Sequence, residues 1–127
     1  MLKKTVTYTD YNDVEVTENV YFNLNKAELS EMELTTPGGY SNMIRRIVAA
    51  DDTPAIFRAF KELILKAYGE KSQDGRRFIK SPELAEAFSQ TEAYSIIFME
   101  ITQDANKAAE FFNGLIPPDL NKTAATN

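Results

Sequence analysis

Histidine and cysteine are both absent from the 127 residues. No imidazole can act as a base near neutral pH, and no Ser-His-Asp or Cys-His nucleophile system can be assembled. Zinc, haem and iron–sulfur sites built on His or Cys ligands are excluded, as is any disulfide. Glycine and proline are sparse, five of each, and they adjoin one another only at Pro37-Gly38-Gly39. That cluster is a candidate hinge, too short to be a domain linker. No apolar run approaches the ~18 residues needed to cross a bilayer. The basic start, Met1-Leu2-Lys3-Lys4, leads into alternating Thr and apolar residues rather than a hydrophobic stretch, so it does not read as a signal peptide. The cytoplasm is the default compartment.

What is present suits one domain with a core of its own. The hydrophobic fraction of 43%, with eight Phe and six Tyr, is too high for a fully disordered chain. A chain of this length can bury roughly two-thirds of the surface its unfolded form exposes. The net charge of −5 argues against nucleic-acid binding, which depends on neutralising phosphates. That charge is uneven: residues 1–60 sum to −3, residues 61–80 to +3 and residues 81–127 to −5. The blocks read as an ordinary solvated surface, as neutralisation within one fold, or as head-to-tail pairing between copies.

The chain opens with the pattern of an antiparallel hairpin over about residues 3–22. Val6 and Tyr8 alternate with Thr5, Thr7 and Thr9; Asp10-Tyr11-Asn12-Asp13 supplies the turn; Val14, Val16, Val20 and Phe22 continue at period two. Glu18 interrupts the apolar face, which predicts a bulge, a bend or an edge position there. Helices are expected at about 26–34, 41–50, 54–68, 82–88, 91–102 and 105–113. Asn25 with Glu28, and Ser89 with Glu92, form capping-box patterns. Thr53 ahead of Pro54 and Ser81 ahead of Pro82 mark further starts; Gly69 marks one stop, and Gly114 followed by Pro117-Pro118 marks the last. Asp74-Gly75 in the segment 70–80 signals a small second hairpin or an ordered loop. The 91–102 helix carries apolar residues on most faces, so it is either the buried centre of a bundle or covered by a partner. The polar tail, 119–127, is expected to be disordered. The fold class is therefore α+β, a mainly helical single domain over residues 1–118 with an N-terminal antiparallel β-hairpin.

Candidate chemistry is thin. Asp51-Asp52 is explained by its place before a helix start, where negative charge is favourable. Glu28, Glu31 and Glu33 read as a solvated helix face. Neither GxGxxG nor GxxxxGK[ST] occurs. Arg45-Arg46 and Arg76-Arg77 lack the interleaved aromatics of a stacking platform. No catalytic residue, cofactor or metal site is expected, and neither nucleic acid nor membrane is an expected partner.

Three long stretches, TVTYTDYNDVEVTENVYFNLNKAELSEMEL, IFRAFKELILKAYGEKSQDGRRFIKS and FSQTEAYSIIFMEI, resemble the tail assembly chaperones of long-tailed bacteriophages, in particular a group common in prophages of Gram-positive bacteria. The resemblance spans about residues 3–118. It departs at the hairpin turn, where relatives often carry Asn-Gly and this chain has Asn12-Asp13. The resemblance implies a non-catalytic protein of the host bacterial cytoplasm that is absent from the mature virion. Its implied partners are the tape measure protein, a long helical chain that sets tail length, and the major tail (tube) protein, with self-association besides. It also implies a shorter product alongside a frameshifted longer one. An amphipathic helical protein can offer such partners a groove. Phe111, Phe112, Leu115 and Ile116, next to the polar tail, are the candidate partner-binding residues; the competing reading is that they close the core. The rival functions are a structural virion protein, such as a tail-completion or head–tail connector component, and a small DNA-binding regulator.

Overall fold

In the computed structural model, which describes residues 1–117, β1 (Leu2–Thr9) and β2 (Glu15–Phe22) form the expected antiparallel hairpin. Their register is regular throughout, from Leu2 opposite Phe22 to Thr9 opposite Glu15. The turn works through Asp10, whose carboxylate accepts from the backbone N–H of Asn12 and Val14, while Asp13 takes a φ of 61°. Even-numbered residues, Val6, Val20 and Phe22 among them, face the core. The other face is polar and open, with Thr5 paired to Asn19 and Thr7 to Thr17 across the strands. Glu18 causes no bulge. It sits opposite Val6, where its carboxylate remains exposed and accepts a hydrogen bond from the Tyr8 hydroxyl at 2.8 Å.

Six helices follow: α1 (Lys26–Thr35), α2 (Tyr40–Ala49), α3 (Thr53–Ala67), α4 (Pro82–Ser89), α5 (Glu92–Thr102) and α6 (Ala105–Leu115). The Asn25–Glu28 capping box forms in both directions. Ser81 caps α4 as its sequence suggests. Two other caps differ by one or two residues from expectation. Asp52, not Thr53, accepts from Ala55 N–H at the start of α3, because a carboxylate is a strong acceptor and Thr53 is already helical. Thr91, not Ser89, caps α5; Ser89 closes α4 by donating to the Glu86 carbonyl. Of the α1 carboxylates, Glu31 is exposed as expected, whereas Glu28 and Glu33 are half-buried and engaged. Glu28 pairs with Lys80 at 2.7 Å, and Glu33 accepts from the backbone N–H and hydroxyl of Ser41. Glu33 thereby serves the start of α2, whose own cap residue, Gly39, has no side chain to offer.

The segment after α3 is a hairpin, and it extends the first one. β3 (Tyr68–Lys71) pairs with β2 through Tyr21–Gly69 and Phe22–Tyr68, and β4 (Phe78–Ile79) pairs with β3. The result is a four-stranded antiparallel sheet in the order β1-β2-β3-β4. Gly69 does not end α3 as a left-handed cap. It lies in β3, buried, where an added Cβ would sit 2.7 Å from both the Ile79 carbonyl oxygen and the Phe78 ring. Gly69→Ala should therefore cost about 2 kcal/mol through overpacking, read as a lower urea midpoint with an unchanged slope. The last helix ends at Leu115, ahead of Pro117 as expected, with Gly114 just inside its end. There the missing side chain leaves room for Leu2.

The core lies between the even face of the sheet and the helices. Phe22, Phe60, Ile64, Ala67, Ile97 and Ala108 are fully buried there. Of the apolar residues on α5, Ala93, Ile97 and Ile101 are buried, whereas Ile96 and Met99 are 37% and 53% exposed. The helix is therefore not enclosed on all sides by its own chain. Among the described residues, no helix is long and apolar enough to cross a membrane. The expected polar tail, 119–127, lies outside the described residues.

Candidate functional site

The four candidate residues of α6 do not form an exposed patch. Phe111, Phe112, Leu115 and Ile116 are at most 5% exposed. Phe111 stacks edge-on against Phe22 at 5.4 Å and faces Phe60 at 6.3 Å, so it locks α6 to the sheet and to α3. Phe112 turns towards α2, where it meets Tyr40 at 6.4 Å. The reason is geometric: successive helical residues are ~100° apart, so two adjacent Phe side chains serve two different neighbours.

Phe112 nevertheless marks a usable surface. It forms the floor of an apolar groove between α2 and α6, of about 300 Å³, with Ile44, Val48, Ala49 and Ala109 as walls. Arg45 and Asn113 stand at its rim. A second open hollow of about 470 Å³ lies alongside, lined by Gly38, Asn42, Arg45, Arg46 and Ala49. Small residues at positions 49 and 109 keep the groove open. Alanine at such positions lets another backbone approach, as at close helix–helix contacts. Sequence periodicity places Ile44 and Val48 on one stripe of α2, but it cannot show that α6 leaves a gap beside them.

Tyr40 holds the first turn of α2 against Phe112. Burial, and then the negative charge of Glu62, push its hydroxyl up from the ordinary 10.0 to about 12. A group with a raised folded-state value favours the protonated native state. Its contribution is complete below pH 10.0 and is lost as pH rises through about 12. Denaturant titrations across that window should show an alkaline decline that becomes shallower in Tyr40→Phe, since the ring and its packing remain.

The acidic and basic doublets have local structural roles. Asp51-Asp52 is part of a helix start: Asp52 caps α3, and Asp51 takes a φ of 51° in the turn before it. Arg76 and Arg77 are exposed on the β3–β4 loop, beside the Asp74 carboxylate that orders it. The whole chain, residues 1–127, matches a family model described as phage tail assembly chaperone. No curated protein and no solved structure matches it.

Proposed function

Because this chain belongs to the phage tail assembly chaperones, we propose that it works by lending the α2–α6 groove to an apolar helix of the tape measure protein. Tail-tube subunits are a second client of the same kind, and the same reading includes self-association. The observation that carries this is the groove itself, a Phe112 floor between Val48 and Ala109 with Arg45 at the rim. An amphipathic helix binds such a groove through residues at i, i+3 or i+4, and i+7. Arg45 at the rim favours a helix flanked by acidic residues.

The binding is transient and involves no covalent chemistry. The protein works in the host cell during tail assembly and does not remain in the particle. Quantitative mass spectrometry of infected cells and purified particles tests this. The protein should be abundant in the lysate and absent from finished tails. A fixed copy number per particle would instead assign it to the virion structure.

A further inference from the structure

The sheet carries a second opening that the groove does not explain. Asp10 N–H donates to the Val14 carbonyl, so even-numbered residues of β2 bond to β1. Odd-numbered residues of β2 therefore direct their N–H and C=O groups to the other side. Asn23 N–H confirms that direction by donating to the Ala67 carbonyl at 2.9 Å. β3 uses this edge only at Tyr21 and Phe22. Beyond Gly69 no further β2–β3 pair forms, while the opposite edge of β3 pairs with β4 through Glu70–Ile79 and Lys71–Phe78. Thr17 and Asn19 thus keep a strand edge that no described strand occupies.

That edge borders a cleft of about 510 Å³, between β2, β3 and α4. On the helix side, Val20, Leu84, Ala87 and Phe88 make an apolar wall, with Tyr68 stacked on Phe88 at 4.1 Å. Glu18 and Glu70 line the same cleft. Both carboxylates act on the Tyr68 hydroxyl, which burial chiefly, then Glu70 and Glu18, push above its ordinary value. The one cation in the lining, Lys71, is turned elsewhere, its ammonium 4.4 Å from the Tyr21 ring.

We propose that this cleft binds an extended segment of a partner tail protein by strand addition to the Thr17–Asn19 edge of β2, selecting a large apolar residue followed two positions later by Lys or Arg. Side chains of a strand alternate, so residues two apart face the same way. With one seated against Val20, Leu84 and Phe88, its second neighbour comes level with Glu18, the residue two before Val20 on β2, while Glu70 adds negative charge to the same cleft. Backbone hydrogen bonds supply affinity, and the apolar wall and the carboxylates supply selectivity. The cleft accepts strands, so it complements the helix-binding groove. It rests on the reading that the chain binds tail proteins, and it names a second recognition mode for them.

The test uses the full chain and a fluorescent, end-blocked octapeptide of Thr and Ser with one Leu and, two residues on, one Lys. Anisotropy should show saturable binding, with amide shifts of Thr17, Asn19 and Gly69 in NMR spectra. Changing the peptide Lys to Glu, or the protein to Glu18→Gln with Glu70→Gln, should weaken binding about fivefold and reduce its salt dependence. Methylating alternate peptide nitrogens should weaken it by roughly tenfold or more. Absence of saturable binding, or equal binding of the methylated peptide, overturns the proposal. So does self-association of the chain that the Glu18→Gln/Glu70→Gln variant abolishes, since the occupant would then be a second copy. Peptide binding that fails while the tape measure protein is still solubilised counts against the cleft alone; the reverse counts against the chaperone reading alone.

Discussion

Phe22→Ala should lower the unfolding free energy by about 4 kcal/mol and the melting temperature by roughly 10–20 °C. Phe22 is fully buried, and its ring meets Tyr68, Phe88 and Phe111 at 6.2, 6.0 and 5.4 Å, all edge-on. It is the residue through which β2 meets β3, α4 and α6 together. Alanine there leaves a cavity bounded by three rings from separate elements, which cannot all close in at once. Phe22→Leu keeps most of the volume and should cost less than half as much. The loss also has a functional reading. Phe111 leans on Phe22, and α6 forms one wall of the groove, so loosening this contact blurs the groove before the chain unfolds. Differential scanning calorimetry gives the stability, and hydrogen exchange of α6 amides gives the local effect. A Phe22→Ala protein as stable as the parent would contradict the packing described.

The second large effect separates binding from stability. Ala109→Glu with Asn113→Glu should reduce co-purification of the tape measure protein by at least about tenfold. Ala109 is half-buried on the groove wall and Asn113 is exposed at its rim. Two glutamates there fill the space a client helix needs and set negative charge beside Arg45, so an acidic client meets repulsion instead of attraction. Surface positions of this kind change folding stability by about 1 kcal/mol or less. A folded double variant that still carries the full load of tape measure protein would remove the groove from the account.

Much of the architecture could be read from the residues, because local rules and tertiary packing agree there. The hairpin follows from period-two spacing plus Asp10–Asp13. The spacing of Ile56, Phe57, Phe60, Leu63, Ile64, Ala67 and Tyr68 predicts one apolar stripe; five of these are buried, and Phe57 and Tyr68 are half-buried at its edges. The misreadings share one cause, which is that a residue's partner lies far away in the chain. Gly69 looks like a helix stop locally, yet it is small because Phe78 and Ile79 pack against it. Glu28 and Glu33 look solvated until Lys80 and Ser41 arrive.

The candidate site shows the same limit. Phe111, Phe112, Leu115 and Ile116 stand out in the sequence as apolar residues near the polar tail, and each is buried. Only Phe112 borders the groove, and its role depends on the gap that α2 leaves beside α6. Periodicity tells which face of a helix is apolar. It does not tell whether another helix covers that face fully, so grooves and clefts emerge only when the elements are assembled.

The central claim is that this chain keeps apolar helical segments of a tail protein in solution by covering them. Its most direct measurement is the soluble fraction of the tape measure protein expressed alone, with the parent chain, and with the Ala109→Glu/Asn113→Glu variant. The account predicts mostly insoluble protein alone, mostly soluble protein with the parent, and a return to insolubility with the variant. Equal solubility in all three would contradict it.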